Sequence, residues 1–420
     1  MSQVQPAPAQ QAPTAVPAPA PVATQEHTEN VPQLLNRWQV AAVTVCLVFG
    51  VLSALLQFLG WQANGRAADN TEQLVRVQAI QSSLLRADAL ATNAFLIGGL
   101  EAAEQRAEYD EALDDVLRGI ADAAEAQPAD REALASLNSE VATYASAIAQ
   151  ARSNNRQGFP IGAEYLQQAG RELRAEALPI IEELVAANSE RAEDEMSGQH
   201  PVWLVLTGIA ALAALWWLNR QLARRFHRRF NVGLVAAALA VTVVTLIATI
   251  VAEDQSSDNE ELIEGSYQMA VDGASVRTFA NDAKANESLR LIKRGSGQEF
   301  EDAWAEAAAG VEEQASGATL SAWKTYRELH EEIVSLDTGG QWGNAVGAAT
   351  TVSPEGASAA LDAVDRSAQA DVDQAAEETT DTLRSGRGLA VALALATLLL
   401  GLVAASLCAW GINQRRKEYA

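Results

Sequence analysis

The chain has 420 residues, with 30 Lys and Arg against 54 Asp and Glu and a formal net charge of −24. Hydrophobic residues make up 49% but aromatics only 5%, so the apolar content is mostly Ala, Val and Leu, which favours helices over sheets. Such an acidic balance argues against nucleic acid as a partner, since that requires positive charge set against phosphate.

In chain order, residues 1–37 come first as a cytoplasmic tail, Pro-, Ala- and Gln-rich and too poor in large apolar side chains to offset ordering entropy, hence expected to be disordered. Four runs then carry no Asp, Glu, Lys or Arg: Trp38–Gly65, His200–Asn219, Phe230–Ala252 and Gly388–Gln414. Each reaches the roughly 20 residues a helix needs to cross a hydrocarbon layer, which predicts four spans at 38–61, 201–219, 231–252 and 389–412 and excludes a soluble enzyme. Arg220, Arg224, Arg225, Arg228 and Arg229 crowd the loop at 220–230, and Arg415, Arg416 and Lys417 follow the last span. Short basic loops stay inside, so both termini are expected to be cytoplasmic. The long segments 62–200 and 253–386 then face outward. They carry 11 basic against 24 acidic and 9 basic against 27 acidic residues.

Within the first outward segment, Val77, Ile80, Leu84, Ala87, Ala91 and Ala94 recur at steps of three and four, the seam of a packed helix. Breakers at Gly98-Gly99, Gln127–Asp130 and Gly158–Pro160 divide it into four helices. Pro128 and Asp130 read as helix-start chemistry. The second segment breaks at Gly295–Gly297, at Ser316-Gly317 and across Asp337–Pro354, where Ser353-Pro354-Glu355 reads as another helix start. The predicted fold class is all-α: four transmembrane helices with two tandem extracytoplasmic antiparallel four-helix bundles, whose first and last helices continue into the membrane. Glu108–Ala112 against Glu299–Ala303, Asp88-Ala89 against Asp282-Ala283, and Thr143-Tyr144 against Thr325-Tyr326 keep a common order. They point to an internal duplication.

Chemistry is sparse. The four histidines are scattered, and no cluster has metal-ligand spacing, no Gly-rich loop grips phosphate and no nucleophile stands near a base, so neither catalysis nor a cofactor is expected. Cys46 and Cys408 fall inside spans and read as small apolar fillers. Two surfaces stand out as partner sites. The distal third turns carry Phe159-Pro160 in one domain and Gln341-Trp342 in the other, as docking anchors or as rings that staple their own turns. The Arg220–Arg229 loop faces either lipid head groups or a cytosolic partner. The last outward helix, drawn over 354–386 with Leu361, Val364, Ala368, Val372, Ala375, Thr379 and Leu383 inward, reads either as a solvated Ala-rich helix that simply closes the bundle or, because three of those seven are Ala or Thr, as a weakly held element that moves.

Membrane-distal bundles joined to spans, with Ala91–Gly99 as a first hairpin and Tyr109 in an acidic helix, resemble the sensor inputs of chemoreceptors and histidine kinases. Only eight residues follow Ile412, so an output through another protein is expected. Four spans, two outward bundles, a basic central loop and the third turn Asn155–Leu166 resemble the GlnX family of actinobacterial membrane proteins, from about Arg37 onward. Gly339–Asn344 departs from that pattern by lacking the proline. The resemblance implies a non-enzymatic signalling adaptor for amino-acid sensing, with an extracytoplasmic solute-binding lipoprotein of glutamine-binding type and a cytosolic serine/threonine kinase as partners. The rival readings are a direct small-ligand chemosensor and a structural envelope protein. Two copies could pair as a homodimer, or the two bundles of one chain could pair with each other.

Overall fold

A computed structural model of the protein describes residues 31–97, 103–157, 161–226, 231–351 and 353–418. Residues 1–30 of the tail, Gly98-Gly99, Phe159-Pro160 and Arg228-Arg229 lie outside the described residues. Among those described there is no strand, and four helical stretches are long and apolar enough to cross a membrane. The chain is an all-α, multi-pass membrane protein.

Helix α1 (Val31–Ile97) runs 67 residues without a break, about 100 Å at 1.5 Å per residue. The first span and the first bundle helix are therefore one rod. The first bundle is completed by α2 (Ala103–Ala126), a 3-10 turn (Pro128–Asp130), α3 (Arg131–Arg156), α4 (Ile161–Glu172) and α5 (Leu178–Met196). A π turn, Leu173–Ala177, joins the last two. Val77, Ile80, Leu84, Ala87 and Ala91 of α1 bury against Val116, Leu137, Val141, Leu166 and Ile181, so the apolar seam sets the core face. Helix α6 (Pro201–Phe226) is the second span. Helix α7 (Val232–Leu262) is the third, and it passes through the π turn Ile263–Tyr267 into α8 (Gln268–Ile292). Helices α9 (Gln298–Gln314), α10 (Gly317–Thr338), α11 (Trp342–Thr350) and α12 (Ala357–Ser385) complete the second bundle, and α13 (Arg387–Glu418) is the fourth span.

The structure departs from the sequence reading at five places. The last helices of both bundles do not continue unbroken: Ser197–His200 interrupts α5 from α6, and Gly386 separates α12 from α13. Pro201 cannot extend a helix that precedes it, since it lacks an N–H and its ring crowds the carbonyl four residues back. The break across 337–354 contains α11, held because Ala345 and Ala349, one turn apart, are both buried. Helix α12 starts at Ala357, with Gly356 as its N-cap in place of Ser353, because Ser353–Gly356 closes a turn with the Gly356 N–H on the Ser353 carbonyl at 2.9 Å. A Cβ at Gly356 would lie 2.4 Å from the Thr351 carbonyl. Asp130 makes no side-chain cap and instead accepts from Gln73 at 3.1 Å, Asn188 at 2.9 Å and Arg191 at 2.9 Å. Finally, Arg220, Arg224 and Arg225 stand on the last turns of α6, not on a loop, because Leu215, Leu218 and Leu222 carry the buried stripe of α6 past them.

Among the spans, α13 packs against α1 and α7. Its close approach rests on small residues, as is usual where lipid leaves no hydrophobic drive between helices: a Cβ on Gly401 would meet the Cα of Gly50 at 2.8 Å. Gln57 donates to Thr397 Oγ1 at 3.1 Å across the same contact, and the Cys46 and Cys408 sulfurs lie 3.7 Å apart in the buried core. Leu55, Ile209, Leu239 and Leu399 point away from that core and are exposed, as lipid-facing residues must be.

The α12 stripe is buried at all seven places drawn from the sequence, but its small residues mark close packing rather than weakness. A Cβ added at Gly273 of α8 would meet Val372 Cγ2 at 2.8 Å and the Ala368 carbonyl at 3.4 Å. Enlarging this seam overpacks it, at about 1–3 kcal/mol per site. Ala368→Leu with Ala375→Leu is therefore expected to lower the thermal midpoint of the purified chain. A midpoint equal to or above that of the parent would show α12 to be loosely seated after all.

Candidate functional site

The two bundles lie side by side, with α1 packed against α8 and α12. Polar contacts rise through this interface in layers. Nearest the spans, Asn259 Nδ2 donates to the Met196 carbonyl at 2.7 Å, and Ser189 and Tyr267 share a hydroxyl contact at 2.9 Å. Also near the spans, Arg384 of α12 pairs with Glu72 at 2.7 Å and Asp69 at 2.9 Å on α1. Higher up, Arg86 of α1 reaches Asp362 at 3.0 Å and Asp365 at 3.3 Å on α12. Near the distal end, Arg174 donates to Asp88 at 3.0 Å in its own bundle and to Asp282 at 2.5 Å in the other. Its guanidinium joins the bundles through one side chain.

Local structure explains why Arg174 can do this. It sits in the π turn Leu173–Ala177, and such turns, with one residue more per loop than an α-helix, re-aim side chains and recur at functional sites. Asp88 falls four residues after Leu84, on the buried stripe of α1, and is only 1% exposed. Tyr144 of α3 also donates to it, at 3.0 Å. Burial, with the adjacent carboxylate, holds the Tyr144 hydroxyl well above its usual range. The second bundle has a counterpart: Tyr326 of α10 donates to buried Glu287 of α8 at 3.2 Å.

Glu287 anchors a larger buried group. Lys284 Nζ lies 2.5 Å from its carboxylate and also donates to the Ala349 carbonyl at 2.8 Å. His330 Nδ1 lies 2.9 Å from Glu287 and its Nε2 3.5 Å from Glu301, with the ring stacked on Trp304 at 3.6 Å between centroids. Arg290 reaches Glu301 at 3.2 Å and Asp337 at 3.3 Å. Burial alone would raise the Glu287 pKa, but Lys284 and His330 outweigh it and hold it at about 2. Burial would likewise lower that of His330, yet its contacts with Glu287 and Glu301 raise it. The group thus favours a protonated histidine between ionised carboxylates.

Two cavities open along the interface. One of about 130 Å³ lies between α1, α2, α8 and α12, and another of about 610 Å³ lies between α4, α8 and α9. The larger presents Arg171 and Lys293 beside Asp282, Glu299 and Glu306.

The residues chosen from the sequence sit elsewhere. Phe159 and Pro160 are outside the described residues. Gln341 is exposed at the start of α11 and accepts from Asn344 at 2.9 Å. Trp342 is half-buried: its Nε1 donates to the Leu291 carbonyl at 2.8 Å, and Arg294 lies 3.8 Å over its ring. Arg220 lies over Trp216 at 5.3 Å and Arg225 over Trp38 at 5.9 Å, while Arg224 is exposed. Sequence reasoning passed over Arg174, Asp88 and Asp282. The available signal was a charge in register with an apolar stripe, as in Leu84 followed four residues later by Asp88.

Residues 63–197 match the family model described as the actinobacterial sensor domain. That stretch coincides with the part of α1 beyond the first span and the helices through α5, so the first bundle is of sensor type, similar to actinobacterial sensor domains. No curated protein and no solved structure matches the chain.

The buried group in the second bundle makes stability depend on pH with a definite sign. Because the folded-state His330 pKa is raised, its contribution is complete below the ordinary value of 6.5 and is lost as pH rises through the raised one. Glu287 contributes above 4.5 and loses that as pH falls towards about 2. The thermal midpoint of the purified chain should decline on the alkaline side of 6.5, and His330→Gln should flatten that limb. Glu287→Gln leaves Lys284 buried without its counter-ion and should cost about 3–5 kcal/mol. An alkaline limb unchanged by His330→Gln would show that the histidine is not the titrating group.

Proposed function

We propose that the protein is a transmembrane signalling adaptor, with both bundles outside the cell and the Arg-rich ends of the spans inside. It would report amino-acid supply, presented by a solute-binding lipoprotein of glutamine-binding type, to a cytosolic serine/threonine kinase. One observation carries the sensing part: the bundles are tied to each other through Arg174, and α1, which packs against both, runs without a break into the first span, while α8 joins the third span across a kink at Gly265. A change in how the bundles sit together is then a change in how the spans sit together. The sensor-type match of the first bundle supports the same reading.

The orientation rests on the basic residues Arg220, Arg224 and Arg225 at the end of α6, opposite the acidic bundles. The distal tips, with Gln341 exposed beside half-buried Trp342, would receive the lipoprotein. The Arg220–Arg229 stretch would meet the kinase and anionic lipid head groups, and the duplication read from the sequence would make the bundles partners in place of a second copy. In both bundles a tyrosine of the repeat, Tyr144 or Tyr326, donates to a buried carboxylate, although the acceptor Glu287 lies five residues beyond Asp282, the counterpart of Asp88.

Single cysteines introduced at exposed Ser136 and Ser316, in a chain whose two native cysteines are replaced, should be labelled by impermeant reagents in intact cells. One at Arg224 should be protected, and the reverse pattern would overturn the reading. In pull-downs on the same chain, Gln341→Ala should weaken capture of the lipoprotein without lowering thermal stability. Trp342→Ala should lower stability as well, because it removes the bond to the Leu291 carbonyl and the stack with Arg294.

A further inference from the structure

The cavity of about 130 Å³ between α1, α2, α8 and α12 is walled by both bundles at once. Four buried side-chain atoms on its lining residues have no hydrogen-bond partner in the protein: Asn93 Oδ1 of α1, Gln105 Oε1 of α2, Asn281 Oδ1 of α8 and Ser358 Oγ of α12. Asn93 is 7% exposed and Asn281 1%. Leaving such groups unmatched costs about 1–3 kcal/mol each, and buried polar atoms in native proteins find partners in the great majority of cases. Four on one cavity, one from each of the four helices that enclose it, are a concentration that packing alone does not produce.

The chemistry of these atoms is one-sided. Three are amide oxygens, which accept and cannot donate. The Asn281 orientation is set by its amide nitrogen, which donates to the Arg277 carbonyl at 2.9 Å. The cationic groups on the wall are already engaged, Arg86 with Asp362 and Asp365 and Lys284 with Glu287 and the Ala349 carbonyl. Glu108 adds a carboxylate whose pKa is raised by burial and by the neighbouring Asp362, against the pull of Arg86. Glu108 is itself exposed, so this carboxylate stands at the mouth of the cavity and not in its interior. What the cavity lacks is a small group with several N–H donors and a positive charge.

We propose that this cavity binds a small solute through its primary ammonium group, with Asn93, Gln105 and Asn281 as acceptors and Glu108 as counter-charge. The volume sets the size: an apolar cavity of about 150 Å³ accommodates benzene, so at about 130 Å³ a ligand of up to about six non-hydrogen atoms fits, the size of the smallest amino acids and short alkylamines. Both share the ammonium chemistry; an amino acid would in addition set its carboxylate towards Arg86 and Lys284. The inference rests on the sensor reading and adds a ligand that touches both bundles directly, on helices that lead into the first, third and fourth spans. A solute held there favours the arrangement in which α1 and α2 stand close to α8 and α12, and it can shift that equilibrium by its difference in affinity between the two arrangements.

The test uses the full chain in lipid nanodiscs, followed by calorimetry and thermal melting. Three probe sets are compared: glycine and alanine; propylamine and butylamine; and propionate and lactate, which carry the carboxylate without the ammonium. The expected result is heat of binding and a raised melting temperature with one or both ammonium sets and none with the third. Amino acids acting alone place the carboxylate on Arg86 and Lys284, and amines acting equally well place recognition in the ammonium group. Asn93→Leu and Asn281→Leu should weaken binding at least tenfold while leaving the unliganded melting temperature unchanged or higher, because each removes an acceptor that has no partner. If either variant fails to fold, the comparison of the three probe sets on the parent chain still decides. Binding of propionate or lactate as strong as that of alanine, a response to inorganic cations only, a response to none of the probes, or undiminished binding in both variants would overturn the proposal. A chain that labels and captures its partner as proposed above, yet binds none of these solutes, would keep the adaptor reading and lose this one.

Discussion

A single helix, α1, belongs to three packed bodies, and the remaining architecture follows from that constraint. Its first half lies against α13 and α6 among the spans, and its second half supplies the seam of the first bundle. The opposite face of that second half packs on α8 and α12 of the second bundle. A helix in that position has no solvated face to spare, which is why Thr71, Gln73, Gln78, Ser82, Asp88 and Thr92 are buried along it beside the expected Val, Ile and Leu. Polar groups withdrawn from water need partners, so the shared helix accounts for much of the hydrogen bonding between and within the bundles.

The buried charges follow the same logic. Asp88 is held by Arg174 and Tyr144, and Glu287 by Lys284, His330 and Tyr326. Such groups are weak evidence for stability, because desolvating two ions offsets most of their attraction. Their effect is on arrangement: an apolar interface of Ala and Val tolerates sliding, whereas a guanidinium placed between carboxylates of two bundles is satisfied in one register. Removing one partner leaves a buried charge exposed to no counter-ion, so the register is enforced by the cost of leaving it.

Four spans and an all-helical build were legible because they rest on strong local signals: long charge-free runs, apolar steps of three and four, and Gly and Pro at the breaks. The α12 stripe from Leu361 to Leu383 was legible residue by residue. Its meaning was not, because whether an Ala stripe is loose or tightly packed depends on what faces it, here Gly273 and Val276 of α8, and a single helix does not carry that information. Ser353 failed as a helix start for a related reason. Ser-Pro-Glu suits a cap and a turn alike, and the crowding of Gly356 against Thr351 decides between them. The inter-bundle contacts were hidden from periodicity altogether, since Arg86, Asp282 and Asp362 read as solvated charges on amphipathic helices until a second bundle covers them.

The distribution of breaks along the four span-linked helices bears on how such a molecule could carry a signal. Helix α1 enters the spans as an unbroken rod, whereas α8 meets α7 across a kink at Gly265, whose φ of −109° and ψ of −110° are not helical; α1 and α8 form the centre of the interface between the bundles. The returning helices are interrupted, α5 from α6 at Ser197–His200 and α12 from α13 at Gly386. A hydrogen-bonded helix transmits displacement along its axis, whereas a few residues at an element's end absorb changes of angle. Helix α1 can therefore move as a stiff element while the kinked and interrupted helices accommodate, with Arg387 over Trp61 at 4.9 Å tethering the start of α13 to α1. Movement between bundles need not be large to be felt among the spans, because the Gly50–Gly401 contact leaves no room for it to be taken up by side chains.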